Sequence, residues 1–286
     1  MRTLRDIPLV STLLLIPVFI LVASFARTSI VRAQPPAPLT VCSDPDYLPY
    51  SNSDGSGFEN AIAKATAKAL GVPLKYYWYT ERGRGGWGSF VVATLNAKKC
   101  DVIVDVPSAY PELLTTKPYY ISSYVFAYQK NKNYDLTSMD SPALRKLKIG
   151  FEVDTPGEDG LKIRDLILKN TIQYAIGDTP GASPRQVLQD IVSGKIDVAI
   201  MWAPAIAPYI KNDFPQLTMV TVPNTRSLGA PEQYIYPMSM AVRQGDTALA
   251  ERLNGVIAKN QAAYTAIFHR FGIPLYSGPG AVGLER

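Results

Sequence analysis

An α/β fold in two similar lobes is what the sequence predicts, and three observations predict it. Strand-like and helix-like runs alternate along almost the whole chain beyond residue 38, an order that builds a parallel sheet with crossover helices. The runs "CDVIVDVP" and "IDVAIMW" read as buried strands. "LNAKKCDVIVDVPSAY" and "IVSGKIDVAIMWAPAI" share one grammar: a helix ending in Lys, an Asp, a buried strand, then a Pro. Two like units in one chain suggest two lobes of like construction.

The elements follow in order. Residues 1–33 carry Arg2 and Arg5 ahead of an apolar centre from Ile7 to Phe25 and end in Val31-Arg32-Ala33. That is the pattern of a secretory signal peptide cleaved before Gln34, an uncleaved anchor being the alternative. "LTVCS" is the first strand. "FENAIAKATAKALG" is an amphipathic helix with Phe58, Ile62, Ala65 and Ala69 on one face and Gly71 as its stop. "PLKYYWYT" reads as a strand, "WGSFVVATLNAKK" as a helix and "CDVIVDVP" as a strand. "YVFAYQK" and "LKIGFEV" are strands, "GLKIRDLILKN" a helix and "TIQYAIGD" a strand. "SPRQVLQDIVSGK" is a helix capped by Ser183 with Pro184 at its first position. "IDVAIMW", "LTMVTVP" and "YPMSMAVRQ" are strands. From Asp246 one long helix, or two in succession, runs to Gly272 and Pro274.

Composition excludes several classes. The leader holds Arg2, Arg5, Arg27 and Arg32 against Asp6, so 25 of the 29 basic and 23 of the 24 acidic residues lie beyond it, a net of +2. The pI near 9.0 therefore belongs largely to the leader and does not point to nucleic acid. His269 is the one histidine, and Cys42 and Cys100 are the two cysteines. That excludes a Cys/His zinc site, a c-type haem and a His-based triad. In an exported chain such a pair favours one disulfide, Cys42 to Cys100, over two buried thiols in neighbouring strands. About 250 residues remain beyond the leader, enough for one large or two modest domains.

Function concentrates in the loops. In open α/β sheets ligands sit beyond the carboxyl ends of the strands. "CSDPDYLPYSNSDGSGFEN", "WYTERGRGGWGSF" and "DVPSAYPELLTTKPYY" are far longer than a minimal strand-to-helix connection, and long loops on one sheet edge are usually functional. Asp44, Asp46 and Asp54 do not make a calcium loop. Pro45 and Pro49 interrupt the spacing and no Glu closes it, so a solvated loop with Asx turns is expected, with Asp44 as a cleft candidate. Glu59 suits either the helix dipole or the cleft. Trp78 with its tyrosine neighbours, and Tyr119, Tyr120 and Tyr124, alternate between core and cleft as strand residues must. With Tyr47, Tyr50, Tyr110 and Trp202 they are candidates for an aromatic wall, suited to an apolar ligand or a protein partner. Arg82 and Trp87 lie in a Gly-rich stretch without the spacing of a phosphate loop, and are binding candidates as anchors of a mobile loop, a merely solvated loop being the alternative. Asp105 is a further cleft candidate, whereas Asp101 and Asp197, each opening a buried strand, read as structural. No nucleophile is paired with a base, so no catalytic residue is named, and no cofactor or metal is expected.

The segments "LTVCSDPDYLPYS…GFENAIAKATAKALG", "LNAKKCDVIVDVP", "TTKPYY" and "YPMSMAVRQGD" resemble the family-3 solute-binding proteins of ABC transporters. The resemblance implies a two-lobed periplasmic binding fold of type II. Lobe 1 would comprise residues 39–122 plus 233–286 and lobe 2 residues 123–232, with two hinge crossings near Ile121–Tyr124 and Asn224–Gln233. More narrowly, "VCSDPDYLPYSN…GFEN", "TLNAKKCDVIVDVPSAYPELLTTKPYYISSYVF" and "FGIPL" are similar to the MxaJ/XoxJ group, whose cysteine positions also match. That resemblance implies a periplasmic accessory protein of a pyrroloquinoline-quinone (PQQ) dependent methanol or alcohol dehydrogenase, with that enzyme and its cytochrome c as partners.

Two departures from the amino-acid-binding members matter. They carry an Arg soon after the strand equivalent to "CDVIVDVP", and "PSAYPELLTTK" has none. They place an Asp after the strand equivalent to "IDVAIMW", where Trp202 and Ala203 stand here. A zwitterion clamp needs both. The sequence thus favours an accessory role through protein contact. The alternative is a receptor for a small solute other than a free amino acid, and an enzyme built on this fold ranks last.

Overall fold

The computed structural model describes residues 36–80, 86–167, 170–176 and 183–278. The expected leader and Arg82 lie outside them. The strands are β1 (Leu39–Ser43), β2 (Asp46–Tyr47), β3 (Ser51–Asn52), β4 (Leu74–Trp78), β5 (Ile103–Pro107), β6 (Leu114–Thr115), β7 (Tyr120–Gln129), β8 (Ile149–Glu152), β9 (Thr171–Tyr174), β10 (Val198–Trp202), β11 (Leu217–Thr221) and β12 (Ile235–Val242). The helices are α1 (Phe58–Leu70), α2 (Gly86–Val91), α3 (Pro156–Lys162), α4 (Pro184–Val192), α5 (Ala203–Asn212) and α6 (Thr247–Phe271).

The two-lobed architecture is present, and the sheet is mixed rather than parallel. β1 pairs with β4 in parallel, and β8 pairs with β9 and β10 in parallel. β7 and β12 run against their neighbours. Tyr120–Ser123 of β7 pair with Ile235–Met238 of β12, while the following residues of β7 pair with β10 and β11. One long strand thus leaves the first set of strands and enters the second. Its antiparallel partner brings the chain back, which is why both run against the local crossover strands.

The internal echo has a common structural cause. Asp101, just before β5, accepts the Thr40 N–H at 2.9 Å through Oδ2, and its own N–H reaches the Thr40 carbonyl at 2.7 Å. Asp197, just before β10, does the same with Lys148, at 2.8 Å in both directions. Each aspartate locks the start of a buried strand to the neighbouring strand in its lobe, so both are structural.

Alternation fills both sides of each sheet. Val198 and Ile200 of β10 pack with Phe126, Ile149 and Phe151, whereas Ala199 and Met201 pack with Val187, Leu188 and Ile206. In the other lobe Val102 and Val104 face Phe58, Ile62 and Phe268, and Ile103 faces Phe90 and Leu95. The Cys42–Cys100 disulfide forms beside this second cluster, with Cα atoms 5.3 Å apart.

Three elements differ from the sequence reading. α1 buries Phe58, Ile62, Ala63, Thr66 and Ala67 against α6, leaving Ala69 exposed. Thr66 joins that face because its hydroxyl bonds the Ile62 carbonyl and the Tyr264 hydroxyl, both at 2.9 Å. The helix expected from Gly160 starts at Pro156 and stops at Lys162. Pro156 is preset for a first turn, and Asp165 takes a left-handed φ of 55°, which ends helical winding. α5 spans a run with Pro204 and Pro208 that carries no helix signal in sequence. Pro204 sits in its first turn, and seven of its residues are buried. In α6, Asn260 departs from helical angles (φ −123°, ψ 18°), so two helical halves meet at a kink. No described helix is long and apolar enough to cross a membrane.

Candidate functional site

The β1-to-α1 connection is pinned from within. The Asp44 carboxylate accepts the Asp46 N–H at 2.8 Å, an Asx turn. The Ser51 hydroxyl donates to the Asp44 carbonyl at 2.8 Å. Asn60 Oδ1 accepts from the N–H groups of Asn52 and Gly57 at 2.9 and 3.1 Å. A Cβ on Gly57 would stand 2.0 Å from the Tyr50 carbonyl oxygen, so only glycine lets the loop close onto the helix start. The result presents Tyr47 and Tyr50 stacked at 4.9 Å. The long polar loop is a platform for two aromatic rings.

That platform opens on a cleft of two chambers, of about 310 and about 380 Å³, which share Tyr50, Pro107, Trp202 and Met238. The first chamber brings together Asp44, Tyr47, Tyr50, Glu59, Trp87, Asp105, Tyr110 and Trp202 of the sequence candidates. Glu59 occupies both of the roles read for it, since it stands in the first turn of α1 and lines the cavity. Trp87 stacks on Phe90 at 5.9 Å and meets Tyr110 edge-on at 6.0 Å.

Three candidates fall elsewhere. Tyr119 and Tyr120 are fully buried in the core. The Tyr119 hydroxyl donates to the Val104 carbonyl at 2.6 Å, and its ring packs on Tyr264 and Phe268. The Tyr120 hydroxyl donates to Asp105 Oδ1 at 2.7 Å, so Tyr120 orients a lining carboxyl from behind. Trp78 stacks on Tyr76 at 4.5 Å and lines neither chamber. Strand periodicity leaves open which parity faces the cleft, and packing against α6 took the Tyr119 and Tyr120 rings inward.

The second chamber adds Tyr124, Glu152, Thr155, Pro156 and Tyr236. Glu152 and Tyr236 escaped the sequence reading. Glu152 is the carboxyl-terminal residue of β8, so the rule that ligands gather at that end of a strand was the signal that could have found it.

The lining of the cleft is acidic, with Asp44, Glu59, Asp105 and Glu152. Burial pushes Asp105 up to about 7 against the pull of the Tyr120 hydroxyl. Burial likewise pushes Glu152 up to about 7. The Tyr50 hydroxyl is raised by burial first and then by its neighbours, Asp105 and Glu152 among them. Among the described residues lining the two chambers none is Lys or Arg. The described cleft therefore has no clamp for a carboxylate. No cluster of three metal-ligating side chains occurs among the described residues.

Comparison with known proteins agrees with the fold. The profile of the bacterial extracellular solute-binding proteins, family 3, matches residues 39–272. Protein MoxJ of Methylorubrum extorquens is 30% identical over 251 residues, covering 83% of this chain and 81% of MoxJ. The crystal structure of MxaJ from Methlophaga aminisulfidivorans superposes with a TM-score of 0.71 at 29% identity, over 83% of this chain and 100% of that one. The periplasmic binding protein XoxJ from Methylobacterium extorquens AM1 gives 0.67 at 30% identity, over 84% and 100%.

Proposed function

Because the chain belongs to the bacterial extracellular solute-binding proteins of family 3, we propose that it is a periplasmic accessory factor of a PQQ-dependent methanol or alcohol dehydrogenase. It acts by contact with that enzyme, in its maturation, activation or assembly, with the cytochrome c as a second partner. The observation that carries this reading is the likeness to MoxJ, MxaJ and XoxJ along more than four fifths of the chain. The cleft supports it from the other side, since its described lining lacks the cation that a free amino acid's carboxylate requires. The family is one of binding proteins, so the chain binds rather than catalyses.

Closure of two lobes is part of this reading. Residues 39–122 plus 233–286 act as one lobe and residues 123–232 as the other. The crossings along β7 and before β12 absorb the rotation that closes the cleft. A partner that fits only the closed or only the open form then biases that equilibrium by its differential affinity. The test is retention of the purified dehydrogenase, with and without its cytochrome c, on the immobilised protein. Retention is expected, and its absence at micromolar concentrations, confirmed by calorimetry, refutes the proposal.

The two-chambered cleft favours a second reading, a receptor of an ABC importer for a small solute other than a free amino acid. Such a solute would raise the melting temperature by mass action, and a screen of small solutes in which none does so removes this reading.

A further inference from the structure

The second chamber has a built corner. The rings of Tyr124, Trp202 and Tyr236 lie with centroids 5.4, 6.0 and 6.4 Å apart, and every pair is tilted by more than 50°. They come from three different strands, β7, β10 and β12, and all three line the same space as the Glu152 carboxyl. Glu152 has no hydrogen-bond donor and no cation beside its side chain among the described residues. Thr155 bonds only its backbone carbonyl, at 2.7 Å. All three aromatic side chains border that space, and an aromatic ring carries negative charge on its face. A positive charge is attracted electrostatically to such faces, beyond the packing that any neutral apolar group gains, and an anionic group is repelled. A desolvated carboxyl without a counter-charge is costly, and a cation brought to it removes that cost.

We propose that this chamber binds a small organic ammonium ion that carries no carboxylate, its charge shared between the three rings and Glu152. The ring faces accept alkylated as well as primary ammonium groups, while Glu152 accepts N–H donors from the primary ones. The described lining's lack of Lys and Arg leaves the incoming charge unopposed. Asp105, in the adjoining chamber, adds attraction of the same sign. Glu152, Tyr124 and Trp202 belong to the second set of strands, while Tyr236 sits on the returning strand β12. A bound cation therefore links β12 to β7, β8 and β10. The inference rests on the reading of the cleft as a working site but not on the dehydrogenase.

The test is calorimetric titration of the full chain with n-butylammonium chloride, with 1-butanol, butyrate and potassium chloride as controls. Butylammonium alone should bind and raise the melting temperature. Glu152→Gln should weaken it about tenfold, the loss of one charge-assisted contact. Tyr236→Leu, which keeps the apolar volume, should weaken it about threefold to tenfold through the lost ring face. Butanol binding as well as butylammonium, butyrate binding better, both variants binding like wild type, or no heat at millimolar concentration would each overturn the proposal. Because no dehydrogenase is present, a negative titration leaves the retention experiment standing, and a failed retention leaves the titration standing.

Discussion

Glu152→Gln should flatten the dependence of stability on pH. Burial raises this carboxyl from an ordinary 4.5 to about 7. The gap of about 2.5 pH units, at about 1.4 kcal/mol each, favours the protonated form in the folded state by about 3 kcal/mol. The folded value lies above the unfolded one, so the folded protein holds the proton more tightly. The resulting stability is fully present below about pH 4.5 and is lost as pH rises through about 7. Between about pH 5 and about pH 8 the loss attributable to Glu152 comes to about 2.5 kcal/mol. Asp105, raised from 3.8 to about 7, adds a fall in the same direction. Urea unfolding at both pH values measures it, because the midpoint reports stability when the slope is constant. The Gln variant should match wild type at the lower pH and exceed it at the higher, with Asp105→Asn removing the rest. Wild-type and Glu152→Gln profiles that stay parallel across this window would refute the desolvation argument.

Three further outcomes follow from packing. Replacing Cys42 and Cys100 together by alanine opens a link across 58 residues, which the chain-entropy relation values at about 4 kcal/mol. A urea midpoint unchanged by that double substitution would contradict it. Gly57→Ala places a methyl 2.0 Å from the Tyr50 carbonyl and 2.6 Å from Ser51 Cα, both backbone, at a cost of about 2–4 kcal/mol. Thermal unfolding reads this directly, and an unshifted melting temperature would show that the loop is not held as described. Arg164 binds Glu232 through two nitrogens at 2.6 and 2.9 Å and Asp140 at 2.9 Å, with its side chain 4% exposed. Arg164→Met leaves Glu232 with a buried, uncompensated charge, a loss of about 3–5 kcal/mol. Adding Glu232→Gln should recover much of that loss, and strictly additive losses would sink this account.

Local chemistry wrote itself plainly into the sequence. Ser183 caps α4, accepting the Gln186 N–H at 3.2 Å, and Gly71 ends α1 with a φ of 69°. Both follow from backbone rules that need no tertiary partner. The apolar runs of β5, broken by Asp105, and of β10 announced buried strands. α5 was hidden for the opposite reason. Its prolines signal a break, yet Pro204 falls in the first turn, and burial of Ile206 and Ile210 holds the remainder.

The candidate site divides along the same line. Tyr47, Tyr50, Asp105 and Trp202 were legible because long loops and strand ends locate a cleft in any open α/β sheet. Tyr119 and Tyr120 read the same way, and the packing of α6 turned them into core. Glu152 and Tyr236 lie 84 positions apart, and no spacing rule joins them. The sequence by itself determined the alternation of strands and helices, the caps at Ser183 and Gly71 and the lack of an Arg in "PSAYPELLTTK", since these depend on neighbours along the chain. Only the tertiary structure decided which rings meet around Glu152, because β7, β10 and β12 are brought side by side by hydrogen bonding between segments distant in sequence.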